Sequence, residues 1–196
     1  MPEDAQLSDS DGVFLVKTAR MAVTEFLSNG KRMKLESEHE KKFSFNSGVF
    51  VTLNNADGLR GCIGFPMPDK KLSHGIIDAA IAAATEDPRF SPVKTDELSY
   101  IVFEVTVLTP PVEITVTDPM EYLEKIKVGR DGLIIRNSFS SGLLLPQVPV
   151  EYGWNVEEFL QHTCEKAGLE KDTWKNEKVK IEKFEGIVYK EKSNGN

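Results

Sequence analysis

Strand pairs that close like hairpins dominate the sequence. This predicts an α+β fold with a mainly antiparallel sheet flanked by helices. Three observations carry that expectation. Alternating apolar runs come in close pairs, at residues 49–54 with 59–65 and at 132–136 with 140–145. Helical periodicity is confined to separate stretches, at 11–29, 72–86 and 155–167. The chain has 196 residues, 40% of them hydrophobic, enough for one packed domain or two unequal lobes.

Residues 1–12 are polar and acidic and read as a flexible tail, with residues 1–10 disordered or loosely held. Phe14, Thr18, Ala22 and Phe26, with Leu15, Ala19 and Val23, recur at helical spacing, and Gly30 ends that helix. The charged stretch 31–42 reads as a connecting loop. Val49, Val51 and Leu53 alternate with Phe50 and Thr52, as in a strand. Asn55-Ala56-Asp57-Gly58 supplies a turn, and residues 59–65 return as the second strand. The alanine-rich helix 72–86 carries little bulk and suits close packing on a sheet. Asp87-Pro88 stops it.

Residues 100–108 alternate with two largely apolar faces, which predicts a central strand covered on both sides. Glu104 then needs a partner. Residues 112–116 read as a short strand and 119–127 as a short helix. Pro146-Gln147-Val148-Pro149 reads as a rigid loop. Asn155 caps the helix 155–167 with Glu158 at N3. Residues 179–190 form a last strand, and 191–196 a tail. The domain therefore spans 13–190.

The chemistry centres on Leu59-Arg60-Gly61-Cys62-Ile63-Gly64. On a strand, i and i+2 share a face, so Arg60 and Cys62 stand together. A fixed cation beside a thiol favours the reactive thiolate. Cys62 thus reads as a nucleophile or redox thiol aided by Arg60, or as a small residue filling a tight hairpin. Gly61 and Gly64 allow another group to approach the backbone, which makes them candidate ligand-binding positions. Arg89 reads as a ligand for an anion, or as the partner of a carboxylate stapling its turn. Glu104 reads as a general base, as the partner of Arg60 or Arg89, or as half of a structural ion pair. Gln147 reads as a hydrogen-bonding ligand residue or as part of its loop's own structure. His162 and Cys164 lie on opposite sides of one helix, so Cys164 is assigned to the core.

The net charge of −7 opposes general nucleic-acid binding, although Lys31-Arg32-Met33-Lys34 is a local basic run. Two cysteines form no disulfide framework and suit a reducing compartment. No apolar leader, no membrane-length run, no phosphate-binding loop and no metal-ligand spacing stand out. The expectation is a cytoplasmic protein with no cofactor or metal.

The hexapeptide, Asp87-Pro88-Arg89-Phe90, Leu144-Leu145-Pro146-Gln147-Val148 with Trp154 and Glu158-Phe159-Leu160, and Lys166-Ala167-Gly168-Leu169 with Trp174 together resemble the motif blocks of the AMMECR family. That family is named after a human chromosomal region. The matches run in order from about residue 13 to 190. The resemblance implies a two-lobed α+β fold with the hexapeptide lining a cleft between the lobes. It implies no established activity. Prokaryotic members are often encoded beside, or fused to, Memo-type and radical-SAM proteins. That association implies a shared pathway, in modification of RNA or a small molecule. An enzyme or enzyme subunit using Cys62, Arg60 and Glu104 is one expected function. A non-catalytic adaptor using the same cleft for partner recognition is the other, with direct nucleic-acid binding a weaker third.

Overall fold

The elements follow the apolar pattern of the chain closely. The structure is a computed structural model and describes residues 7–176 and 179–191. Contacts divide the chain into two compact units, one from residues up to Leu108 and from Ile187 onward, the other Thr109–Gly186. Helices and antiparallel strands make up both, as an α+β fold requires.

In the first unit, α1 (Asp9–Asn29) opens with Ser8 as N-cap in a capping box with Asp11. The supposed tail therefore contributes a helix start. Met1–Gln6, the rest of that stretch, lies outside the described residues. Gly30 ends the helix at φ 70°, a left-handed conformation that glycine adopts without strain. The stretch expected to be a loop contains a short helix, α2 (Ser37–Lys42). It buries none of its own residues. The Phe14–His39 ring stack and the Lys42–Asp11 ion pair hold it, contacts too local for periodicity to reveal.

Strands β1 (Val49–Asn55) and β2 (Gly58–Phe65) form the expected hairpin, and β3 (Val102–Leu108) pairs with β1, all antiparallel. Helix α3 (Leu72–Thr85) packs with α1 on one face of this sheet. Leu15, Ala19 and Val23 of α1, Ile76, Ala80 and Ala83 of α3, and Val49, Val51, Leu53, Phe103 and Val105 of the strands form the core. Burying each larger aliphatic or aromatic side chain contributes about 2 kcal/mol. The other face of β3 is not fully covered, contrary to expectation: Val102, Glu104 and Thr106 are half-buried.

In the second unit, β4 (Val112–Glu113) is shorter than expected. A 3-10 turn (Pro119–Glu121) leads into α4 (Tyr122–Lys125). Strand β5 (Asp131–Arg136) pairs with β6 (Ser141–Leu144) on one side and with β7 (Lys180–Lys190) on the other. The Pro146–Pro149 segment is not a loop throughout. Helix α5 (Gln147–Tyr152) begins there, because proline fits a first helical turn, where its missing N–H is not needed. Asn155 and Glu158 form the capping box of α6 (Val156–Lys166) as the spacing predicts. Leu133, Ile135, Phe159, Leu160, Cys164 and Trp174 fill this unit's core. The end of β7 returns to the first unit. There Glu191 accepts from both Arg20 and the Phe103 N–H. The rest of the expected C-terminal tail lies outside the described residues.

Candidate functional site

The β1–β2 hairpin contains a bulge that decides which side chains meet. Leu53 pairs with Gly61 and Asn54 with Leu59, so Arg60 is the extra residue. Without the bulge, Arg60 would stand opposite Leu53, whose side chain is fully buried. With it, Gly61 takes the buried face and Cys62 stands opposite Thr52 on the other. The Cys62 Sγ lies 3.3 Å from the Thr52 hydroxyl. On the far side of β1, Thr52 is paired with Glu104. Cys62, Thr52 and Glu104 therefore form one row across three strands, on the face away from α1 and α3. Cross-strand neighbours in such a row have Cβ atoms about 5 Å apart.

Strand β2 is the edge of this sheet, so the backbone of Cys62 faces outward. The Asp87–Arg89 turn satisfies it. The Asp87 carboxylate accepts from the Cys62 N–H at 2.9 Å, and Arg89 Nη2 donates to the Cys62 carbonyl at 3.5 Å. Asp87 also accepts from Arg89 Nε at 3.0 Å and Nη2 at 2.8 Å. The side chain of Asp87 is 3% exposed. Arg89 foremost, with the Cys62 N–H, holds its carboxyl far below the usual carboxylate range, against the opposing effect of burial. Of the two roles the sequence allows Arg89, its pairing with a carboxylate is the contact present.

Arg60 points to a different partner from the one expected. Its Nε and Nη2 grip Glu97 at 2.9 and 3.1 Å, and Nη1 donates to the Ser91 carbonyl at 2.9 Å. No hydrogen bond joins it to Cys62 among the described residues. Glu97 sits at N3 of a 3-10 turn (Thr95–Tyr100) and also accepts from the Lys94 N–H. Arg60 and that N–H hold its carboxyl below the ordinary value. Arg60, Phe90, Ser91, Lys94, Asp96 and Glu97 line an open hollow of about 430 Å³.

Glu104 pairs with neither arginine. Arg60 has Glu97 and Arg89 has Asp87, and Glu104 is left without a hydrogen-bond or ion-pair partner among the described residues. The close approaches at the two glycines are made by the protein itself. A Cβ on Gly61 would lie 2.2 Å from the Ala83 carbonyl oxygen of α3, and one on Gly64 2.3 Å from the Phe50 ring. Gln147 belongs to the second unit, exposed at the first residue of α5. Cys62, Arg60, Arg89 and Glu104 lie in the first unit, and Arg89 rather than Arg60 is the cation bonded at Cys62. Thr52, Asp87 and Glu97 carry contacts that the sequence reading did not assign. For Thr52 no periodic signal exists, because its place opposite Cys62 depends on the bulge at Arg60.

The AMMECR1 family model matches residues 16–189. The chain belongs to the AMMECR1 family. It is 51% identical to Protein MJ0810 of Methanocaldococcus jannaschii, over 94% of this chain and 92% of that one. It is 48% identical to Protein PYRAB00100 of Pyrococcus abyssi, over 95% and 93% of the respective chains. The crystal structure of protein PH0010 from Pyrococcus horikoshii superposes with a TM-score of 0.77 at 49% identity, covering 95% of this chain and 94% of that one.

The later motif blocks of this AMMECR1-family chain serve the second unit's packing. Trp154 stacks between Tyr152 and His162, at 4.9 and 3.8 Å between ring centroids. Trp174 is buried edge-on to Tyr122. Cys164 is fully buried, and burial pushes its thiol up to about 11. Its expected behaviour is resistance to alkylation until the chain unfolds. Labelling across a urea series checks this: Cys164 modification is expected to follow the loss of circular dichroism. Among the described residues no three His, Cys, Asp or Glu side chains are grouped to hold a metal ion, and no helix is long and apolar enough to cross a membrane.

Proposed function

We propose that this protein is an enzyme, or the catalytic subunit of one, that modifies a small or RNA-derived molecule at the row Cys62, Thr52, Glu104. The observation that carries this reading is the state of Glu104. This half-buried carboxylate has no hydrogen-bond or ion-pair partner among the described residues, so no protein cation or donor neutralises it and it is available to take a proton. It stands in register with a hydroxyl that touches a half-buried thiol. In this role Cys62 is the nucleophile. Glu104 is the general base, and Thr52, between the two in the row, relays the proton to it once the carboxylate turns onto the hydroxyl during the reaction. Both cysteines are free, as thiol chemistry in a reducing compartment such as the cytoplasm requires. The pathway link to Memo-type and radical-SAM proteins belongs to the same proposal.

The expected result is that Cys62→Ala and Glu104→Gln each reproduce the phenotype of a strain lacking the gene. Mass spectrometry of its metabolites and RNA nucleosides is the readout, with protein levels unchanged. Wild-type profiles from both variants would end the catalytic reading.

A second reading, a non-catalytic adaptor, is favoured by a separate observation. Arg60 is paired with Glu97 and Asp87 with Arg89, and the glycine spaces are filled by the protein's own atoms, so the motifs fix a shape. It predicts full function from Cys62→Ser, which the catalytic reading forbids.

A further inference from the structure

Resting on the reading of Cys62 as the working thiol, we propose that Arg89 forms an anion subsite beside it, so that the molecule acted on carries a carboxylate or phosphate group. The two arginines differ in which guanidinium nitrogens are available. Arg60 has all three guanidinium nitrogens committed, and its side chain is 12% exposed. Arg89 has Nε and Nη2 on Asp87, with Nη2 also reaching the Cys62 carbonyl. Its Nη1 has no hydrogen-bond partner among the described residues, and the side chain is 55% exposed.

The open edge is also rigid. A guanidinium is planar, so a two-point grip on a buried carboxylate fixes where Nη1 points. That carboxylate is itself bonded to the Cys62 N–H. One turn therefore sets the thiol and the open guanidinium edge in a fixed relation. Asp87 foremost, and the nearby Cys62 to a smaller degree, hold Arg89 protonated more firmly than usual. The Asp87–Arg89 pair is neutral overall. Recognition at Nη1 rests on directed, charge-assisted hydrogen bonds more than on a broad positive field.

Two thiol reagents of nearly equal size test this. Iodoacetate carries a carboxylate and iodoacetamide does not. The ratio of their alkylation rates is measured at Cys62 by peptide mass spectrometry in low salt, with glutathione as the free-thiol reference. The ratio at Cys62 is expected to exceed that of glutathione by about threefold or more, and to fall with added inorganic phosphate. Arg89→Gln is expected to remove the excess. Lys94→Gln removes a nearby charge that lines the hollow and is expected to keep it. If Arg89→Gln does not fold, phosphate competition on the unmodified chain decides.

A Cys62 that reacts with both reagents at the glutathione ratio overturns the subsite and leaves the thiol reading intact. An excess lost equally in Lys94→Gln overturns the subsite in favour of a diffuse field. A Cys62 inert to both reagents overturns the subsite and the thiol reading together.

Discussion

Gly61→Ala is expected to destabilise the first unit by about 3 kcal/mol, at the upper end of overpacking penalties. The new methyl group would meet the Ala83 carbonyl oxygen at 2.2 Å. That atom belongs to the backbone of α3, so no side-chain rotation relieves the clash. Either the helix lifts from the sheet or the bulge at Arg60 is lost. Losing the bulge slips the register by one residue and turns Cys62 to the wrong face. Gly64→Ala meets the Phe50 ring at 2.3 Å and the Val49 carbonyl oxygen at 2.6 Å, so a swing of the ring relieves only part of the clash, and the change is expected to cost about 2 kcal/mol. Urea denaturation of the two variants, followed by circular dichroism, checks the order. Gly61→Ala as stable as the unmodified chain would mean that the approach of α3 to β2 is not what requires glycine.

Asp87→Asn is expected to cost about 2 kcal/mol at neutral pH, since it weakens hydrogen bonds to a charged group and to a strand-edge N–H. The penalty should depend on pH in a definite direction. The folded carboxyl is held below its ordinary value of 3.8. Its ionised form therefore stabilises the fold at every pH above that ordinary value, and the contribution is lost as the pH falls below it. The gap between Asp87→Asn and the unmodified chain is expected to be constant from neutral pH down to about 5 and to narrow below about 4. A gap that does not change with pH would mean that shape, not charge, is what Asp87 supplies.

Much of this fold is legible in the sequence because its signals are periodic. The β1–β2 hairpin, the alanine-rich α3 and the capping box of α6 follow from local pattern. The features missed depend on single contacts or on small register changes. Helix α2 is held by one ring stack and one ion pair from α1. Helix α5 starts inside a proline pair that reads equally well as a loop. At the candidate site, strand spacing correctly puts Cys62 on the face opposite Gly61. It does not show that Arg60 is the bulged residue. Nor does it show that Glu97, thirty-seven positions away, takes Arg60's charge. Long-range choice among carboxylates leaves no periodic trace. The pairing of Asp87 with Arg89 is different. It spans two residues in one turn, and a carboxylate stapling that turn is a reading of Arg89 that the sequence offers without naming which carboxylate.

On the proposed reading, the Cys62, Thr52, Glu104 row holds a thiol served by a carboxylate. The most direct test is the iodoacetamide labelling rate of Cys62 and Cys164, measured together in the folded chain at neutral pH, with and without Glu104→Gln. Labelling of Cys62 is expected to be at least about tenfold faster than that of Cys164. Glu104→Gln is expected to slow Cys62 alone. A Cys62 as protected as Cys164, or a rate indifferent to Glu104, would contradict the account.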